Sequence, residues 1–230
     1  MLRSEINRAI SEAKACFAEH RFLLPAFAHL APDELRRKLA PDSPIYRGRL
    51  GWDVSDFGGG DFARRGIVLF TMRNGEKDAL PTGRGRLYCE KALYFAGGQG
   101  CPSHSHYVKT EDIINRGGGT LRIDLTSADI KGTIRKGPST VFVDEEPVTF
   151  EERTTVTLAP GQSIVLHPGM FHALEAGDEP VFLGEVSLVN DDIHDNIFPV
   201  PVPRFPEIVD DEPPIHLLCS DYDRVLGLAT

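Results

Sequence analysis

The chain has 230 residues and a formal net charge of −9 at pH 7, with 41% hydrophobic and 26% charged residues. This composition is typical of a folded globular protein, and the length suits one substantial domain. The acidic balance argues against a nucleic-acid partner and gives no support for a membrane partner, because both need clustered lysine and arginine.

The chain start and the cysteines predict a cytoplasmic location. Residues 1–5 lack the apolar segment of a signal peptide, and no apolar run approaches the roughly 20 residues that cross a bilayer. The four cysteines are far apart and form no CxxC pair: Cys16, Cys89, Cys101 and Cys219. Neither a disulfide framework nor a thiolate zinc site is expected from this spacing.

Residues 1–65 are predicted to form a helical and loop extension. Ser4 is the candidate cap of a first helix with one apolar face at helical spacing, made of Ile6, Ala9, Ile10, Ala13 and Phe17. A second short helix is predicted to open at residues 32–34, where proline suits the first turn and two acids suit the positive end of the helix dipole.

Residues 66–196 are predicted to form a β-barrel core. Residues 67–72 are a continuous apolar run that ends at the turn signal Asn74-Gly75. Further strands, separated by Gly, Pro, Asp or Asn clusters, are predicted at residues 87–95, 120–125, 140–143, 154–158, 163–167 and 181–189. Many short strands without helical periodicity favour an all-β sandwich or barrel.

The chain becomes rich in proline after Asn196. We expect residues 197–230 to run extended over the barrel surface, with a late strand at residues 215–219; a loose tail is the alternative. Together with the two preceding parts, this segment completes one predicted domain over residues 1–230.

The pattern G-x5-H-S-H-x4-E-x6-G over residues 98–118 contains candidate metal ligands. On a strand, residues i and i+2 lie on the same face about 6–7 Å apart. The imidazoles of His104 and His106 can therefore approach one cation inside a barrel. Glu111 follows where the chain can curve back and add a carboxylate.

A second pattern, G-x7-G-x2-H over residues 161–172, supplies another histidine at the end of the predicted strand 163–167. The spacing and order of the two patterns resemble the paired motifs of the cupin superfamily, a group of small jelly-roll-like β-barrels. The resemblance predicts four protein ligands of one divalent cation: His104, His106, Glu111 and His172.

The second pattern departs from the usual cupin motif at one position. Proline normally stands two residues before the motif glycine, but here that position is His167 and the proline is displaced to Pro168. His167 is an alternative extra ligand, although its position does not repeat the spacing of His104 and His106.

Three imidazoles and one carboxylate form a nitrogen-rich donor set. Such a set suits Mn, Fe, Co, Ni or Zn and disfavours Ca or Mg, which prefer oxygen ligands. Four protein ligands leave two positions of a six-coordinate ion free for a substrate that chelates through neighbouring oxygens. Several chemistries share this arrangement, so the cupin class alone does not define a function.

Longer segments resemble the D-lyxose isomerases, a family of cupins that isomerise sugars. These segments are residues 50–58, 69–75, 111–119, 158–161 and 184–192, and the resemblance as a whole runs from the N-terminal helix to near the C-terminus. The resemblance implies a manganese-dependent aldose–ketose isomerase and a homodimer. The implied substrates are D-lyxose and D-xylulose, and often also D-mannose and D-fructose. The family's ligands carry over onto the same three histidines and Glu111, and the implied path is proton transfer through a metal-stabilised cis-enediol.

Moving a carbonyl between two carbons also requires a group that transfers a proton. Lys109 is one candidate, because it lies between His106 and Glu111 in the sequence; a cation beside a divalent ion is expected to have a lowered pKa. Its alternative is a solvent-facing loop position. Glu185 and Lys91 are the other candidates, since strand alternation places both inside the barrel, with a buried salt bridge between them as the alternative.

Three further residues are candidates for substrate binding. Arg116 precedes a triple glycine that lacks the features of a phosphate loop and suits a barrel corner. Asp191, in the polar cluster 190–192 after the last predicted strand, either binds sugar hydroxyls or forms a turn. Trp52, beside the candidate hydroxyl acceptor Asp53, either forms an aromatic floor or belongs to the ordinary core.

Three other functions are compatible with the same ligand set. A phosphosugar isomerase would need a cluster of groups dedicated to a phosphate, which the sequence does not show. An iron-dependent cupin dioxygenase would use the ligands for oxygen chemistry. A non-catalytic sugar-binding cupin would bind the sugar without exchanging its C2 proton.

Overall fold

Thirteen strands form two antiparallel sheets in the computed structural model, which describes residues 1–129 and 131–228. In chain order they are β1 (Gly51–Ser55), β2 (Ile67–Arg73), β3 (Tyr88–Phe95), β4 (Gly100–His106), β5 (Glu111–Gly118), β6 (Leu121–Ser127), β7 (Pro138–Val143), β8 (Glu146–Glu151), β9 (Arg153–Leu158), β10 (Ser163–Leu166), β11 (Met170–Ala176), β12 (Val181–Leu188) and β13 (Asn196–Ile197). The predicted all-β character is confirmed.

The larger sheet has the order β1-β2-β3-β12-β5-β10-β7-β8, and the smaller has the order β13-β4-β11-β6-β9. Strands distant in sequence are therefore neighbours, as in a jelly roll. One apolar core lies between the sheets, with Leu93 and Leu183 contributed by the larger sheet and Ile123 and Leu174 by the smaller. The two sheets thus enclose the interior of a barrel.

Helix α1 (Arg3–Glu19) covers part of the outside of the larger sheet. The other helices are α2 (Pro32–Arg36), α3 (Pro44–Arg47) and α4 (Tyr222–Val225), with short 3₁₀ helices at Ala26–His29, Lys77–Thr82 and Cys219–Asp221. The predicted apolar face of α1 is buried against the outer face of the sheet, beside Phe70 and Phe182. The predicted N-terminal helical extension and the helix opening at Pro32 are confirmed.

The predicted cap of α1 is wrong. The helix begins one residue before Ser4, and the capping position is Leu2, whose side chain cannot accept a hydrogen bond. Ser4 instead bonds the C-terminal segment: its hydroxyl and its amide both donate to the carboxylate of Asp211, at 2.6 and 2.9 Å. A contact between residues 207 positions apart replaces the local cap.

The seven predicted strands are all present, but six others were not predicted: β1, β4, β5, β8, β11 and β13. His172 accordingly lies on β11 and not at the end of β10. Strand β1 falls within residues 1–65 and pairs with β2 as an edge of the larger sheet. The predicted helical and loop extension therefore also supplies a strand.

The C-terminal segment is tied to the N-terminal helix. The guanidinium of Arg3 is buried and bonds both Asp221, at 3.0 and 3.2 Å, and Asp210, at 2.8 Å. The late strand predicted at residues 215–219 is wrong, because an isolated bridge joins Leu218 to Trp52 before the chain turns into a 3₁₀ helix. The last two residues of the predicted segment, 229–230, lie outside the described residues.

Among the helices described, none is long and apolar enough to cross a membrane.

Candidate metal centre

Three strands bring the four predicted ligands together. His104 and His106 share one face of β4, and His172 on β11 lies opposite His104 in the strand register. Glu111 is the first residue of β5, across the barrel from β4. One donor atom from each of the four side chains lies within 4.8 Å of all the others. This spacing is compatible with ligation of one ion by nitrogen and oxygen donors at about 2.0–2.2 Å.

Backbone carbonyls orient all three imidazoles. Each Nδ1 lies 3.0 Å from a carbonyl oxygen, with the pairs His104 and Pro102, His106 and Asp195, and His172 and Met170. A carbonyl oxygen only accepts, so Nδ1 must be the donor in each pair. The Nε2 lone pairs are therefore left for the centre of the site, as in metal-bound histidines.

The centre contains facing acceptors. Nε2 of His106 and Nε2 of His172 each lie 3.1 Å from Oε1 of Glu111. Burial lowers the pKa of His106, and burial together with the neighbouring imidazoles lowers the pKa of His104. Neutral imidazoles and a carboxylate at this distance would repel one another unless a cation lies between them. The donor set thus fits a divalent transition-metal ion.

A chain of buried charges extends from Glu111 into the barrel. Nζ of Lys109 lies 2.8 Å from Glu111 and 2.9 Å from Glu185, and Nζ of Lys91 lies 3.1 Å from Glu185. Lys109 therefore points inward and not to solvent, and the salt bridge between Lys91 and Glu185 is present. Burial alone would lower the pKa of Lys109, but the two carboxylates outweigh it and raise the pKa.

Asp195 connects the metal site to Lys109 and was not predicted. Its carboxylate accepts hydrogen bonds from the amides of residues 107, 108 and 109, at 3.0, 2.8 and 3.0 Å. Its own carbonyl accepts the Nδ1 hydrogen of His106. These partners lie 86 to 89 residues apart in the chain, so no local sequence pattern indicates the contact.

The four ligands and the charged cluster line one side of a small inner cavity of about 60 Å³. The other walls are apolar, and include Phe57, Ile67, Leu69, Leu93, Cys101, Ile113 and Leu174. Four residues separate this cavity from a larger outer groove of about 1180 Å³, since they line both: Asp192, Asn196, Phe198 and Arg204. We call these four residues the partition. Its Phe198 ring lies 5.8 Å from the ring of His104.

The predicted substrate-binding residues lie elsewhere. Trp52 is buried between the larger sheet and α1, and its Nε1 donates to the carbonyl of Ala28 at 3.0 Å. Arg116 is exposed on the outer face of β5. Asp191 lines the outer groove and bonds Lys77 and His194. Within the polar cluster 190–192, residue 192 is the one that belongs to the partition.

The alternative ligand His167 does not join the four. It is exposed after β10, and its Nδ1 lies 3.5 Å from the hydroxyl of Thr110.

Gly118, the last residue of the first pattern, has a φ of +85°, and a Cβ there would lie 2.3 Å from the carbonyl oxygen of Pro180. Glycine is therefore required at this irregular strand pairing between β5 and β12.

A jelly-roll-like barrel with three histidines and one carboxylate inside it defines a cupin. Solved structures of L-ribose isomerases share the fold. That of Cellulomonas parahominis has a TM-score of 0.60 at 16% identity, with 91% of this chain and 98% of that chain covered. That of Acinetobacter sp. DL28 has a TM-score of 0.55 at 18% identity, with 86% and 92% covered. Both likenesses support the fold only.

Sequence comparison defines the family. Residues 1–222 match the family model described as D-lyxose isomerase. The D-lyxose/D-mannose isomerase of Serratia proteamaculans is 41% identical over 232 residues, with 99% of this chain and 100% of the relative covered. That of Escherichia coli O157:H7 is 39% identical, with 96% and 98% covered. The chain belongs to the D-lyxose isomerase family and is an aldose–ketose isomerase, which confirms the resemblance found in the sequence.

Proposed function

We propose that the protein is a metal-dependent isomerase that interconverts D-lyxose and D-xylulose, and also D-mannose and D-fructose. The names of the two full-length relatives support the choice of sugars. The facing acceptors of His106, His172 and Glu111 support the metal dependence, because without a cation they would repel one another.

The same four residues, His104, His106, Glu111 and His172, would hold the ion, and we propose Mn(II) as the one bound, with other divalent transition metals as substitutes. When bound, such an ion supplies positive charge that polarises the sugar carbonyl and favours the cis-enediol. The backbone carbonyls behind the imidazoles keep the Nε2 lone pairs directed at the centre of the site.

We propose that Glu185 carries the proton between carbons 1 and 2. It is a buried carboxylate beside the ligand set, and Lys109 and Lys91 outweigh the effect of burial and lower its pKa, so it is ionised and can accept a proton. Lys109, at 2.9 Å from Glu185, is placed to donate a hydrogen bond to a sugar oxygen. Lys91 holds Glu185 from the other side.

The cavity disfavours a phosphorylated substrate. Each lysine or arginine that lines it already contacts a carboxylate: Lys91 and Lys109 contact Glu185, and Arg204 contacts Asp53 and Asp192. A phosphate would have to compete with these buried anions.

The alternative of an iron-dependent dioxygenase differs in its need for oxygen, so equal turnover of D-lyxose with and without air excludes it.

We also propose a homodimer in the cytoplasm. The outer face of the larger sheet carries an exposed apolar strip, in which Tyr88 is paired with Leu188 and is 49% exposed, beside Val186 at 40%. Such a strip is suited to a subunit contact. Light scattering of the purified protein measures the mass of the assembly, and a monomeric mass would contradict the dimer.

Replacement of one ligand tests the proposed function. We expect His106→Ala to lose bound manganese and conversion of D-lyxose together, because it removes one of the four side chains that converge on the ion. The matched control is His167→Ala, which removes an exposed histidine that lies outside the four ligands.

Manganese content after gel filtration and the rate of ketose formation measure the two outcomes. The proposal expects the His167→Ala control to keep both. Full activity of His106→Ala without bound metal would contradict metal dependence. Metal binding without ketose formation by the unmodified protein would favour the non-catalytic sugar-binding alternative.

A further inference from the structure

Arg204 is a buried cation on the partition between the inner cavity and the outer groove. Its side chain is 13% exposed. Nη2 donates to Asp53 at 2.6 Å and lies 3.3 Å from Asp192, and Nε donates to Asp192 at 3.3 Å. Two carboxylates therefore fix the guanidinium, one from β1 and the other from the segment after β12.

This ion pair leaves two polar atoms unused. Nη1 of Arg204 and Oδ1 of Asp53 are buried and have no hydrogen-bond partner among the described residues. Buried polar atoms without partners are rare and cost free energy, so the unused Nη1 of Arg204, whose side chain lines the inner cavity, indicates a ligand there. Nη1 is a donor and needs an acceptor. The oxygen of a hydroxyl group can be that acceptor.

We propose that Arg204 binds a hydroxyl of the sugar on a carbon other than the reacting carbons 1 and 2, and that Asp53 and Asp192 position it. This inference rests on the proposed function, which assigns carbons 1 and 2 to the metal ligands and Glu185. The hydrogen bonds of the Arg204 side chain go to Asp53 and Asp192, and not to the metal ligands or Glu185, but the side chain lines the same cavity. It is therefore placed to contact the part of the sugar beyond carbons 1 and 2.

The two carboxylates beside Arg204 favour a neutral hydroxyl over an anion as the ligand of its guanidinium. Arg204 already faces two carboxylates, which offset its charge and would repel a phosphate or carboxylate ligand. A hydroxyl adds no charge, and its oxygen can accept a hydrogen bond from the unused Nη1 of Arg204. The site therefore selects a polyhydroxylated, uncharged substrate, in agreement with a free sugar.

Strand β1 also provides a control for this role. The hydroxyl of Ser55 donates to the backbone carbonyl of Arg204 at 2.7 Å, two residues along the strand from Asp53. Ser55 thus holds the backbone of the segment, whereas Asp53 holds the guanidinium. Removing the Ser55 hydroxyl loosens the segment without removing the proposed sugar contact.

The test compares D-lyxose with its 3-deoxy, 4-deoxy and 5-deoxy analogues on the manganese-loaded protein. Calorimetry measures binding, and initial rates measure kcat/KM. We expect the unmodified protein to bind at least one analogue about 10- to 100-fold more weakly than D-lyxose, the effect of losing a hydrogen bond to a charged group. Arg204→Met should weaken D-lyxose binding by a similar factor, lose the discrimination and keep its manganese.

Ser55→Ala should retain the discrimination, since the guanidinium is intact. Where Arg204→Met does not fold by circular dichroism, Arg204→Lys replaces it, because lysine keeps the charge but not the planar fork. Unchanged discrimination in the folded Arg204 variant would overturn the inference while leaving the isomerase intact. Discrimination in binding without any ketose would instead overturn the proposed function and leave this contact standing.

Discussion

At the scale of single residues, hydrogen bonding explains why these histidines suit a metal. Each Nδ1 donates to a backbone carbonyl, so the fold and not the solvent decides which nitrogen of each ring carries the hydrogen. The i, i+2 spacing of His104 and His106 was enough to predict their common face. The carbonyl partner of His106, on Asp195, was not predictable, because it lies 89 residues away in the segment before β13, whereas Pro102 and Met170 lie two residues before their histidines on the same strands.

Lys109 gives the first prediction at this scale. Lys109→Met should retain manganese, because Lys109 is not one of the four ligands, but turnover of D-lyxose should fall about 10- to 100-fold, the effect of losing a hydrogen bond from a charged group to the sugar. Metal analysis and kcat measure the two effects. The exposed Lys136→Met is the matched control. Loss of manganese from Lys109→Met would contradict this role.

At the scale of elements, polar strands were the main failure of prediction. Strand β4, with the sequence GCPSHSH, lacks an alternation of apolar residues because its inward positions hold metal ligands. Strand β5 begins with Glu111 and ends in glycines for a similar reason. The apolar strands β2 and β12, in contrast, were found within a residue or two. Functional residues thus interrupt the apolar alternation from which the strands that carry them would be predicted.

The layer between β1 and α1 gives a prediction at the scale of elements. Trp52→Phe should lower the free energy of unfolding by about 2 kcal/mol, because it removes the bond to Ala28 and leaves space beside Phe17. The KM for D-lyxose should not change, since Trp52 does not line the cavity. Denaturant unfolding and steady-state kinetics measure the two. A large rise in KM at unchanged stability would restore Trp52 as a substrate contact.

At the scale of the whole molecule, buried charges connect the metal centre to the partition. The network includes four carboxyl groups and three cations: Asp53, Asp192, Glu185, Glu111, Arg204, Lys91 and Lys109. Asn190 joins its two halves, since it bonds both Lys91 and Asp192. Strand alternation predicted the pair Lys91 and Glu185. Arg204 was missed, because its segment has no regular periodicity.

Acid unfolding tests this network. Burial alone would raise the pKa of Asp192, but Arg204 and Lys91 outweigh it and hold the pKa below its ordinary value. A pKa lower in the folded than in the unfolded chain stabilises the fold above the unfolded value of about 4, and this stabilisation is lost as the pH falls.

We therefore expect Asp192→Asn to lower the free energy of unfolding by about 3 kcal/mol at pH 7 and by less as the pH falls below about 4. Urea titrations at several pH values measure the difference, with the exposed Asp78→Asn as control. A difference that is constant with pH would contradict the ionised state of Asp192.

The most direct measurement of the central claim is proton NMR of D-lyxose in deuterated water with the manganese-loaded protein. A cis-enediol formed by proton transfer at Glu185 predicts D-xylulose and deuterium at carbon 2 of the recovered D-lyxose, and both should disappear when the metal is removed. Neither ketose nor deuterium at saturating manganese would contradict the account.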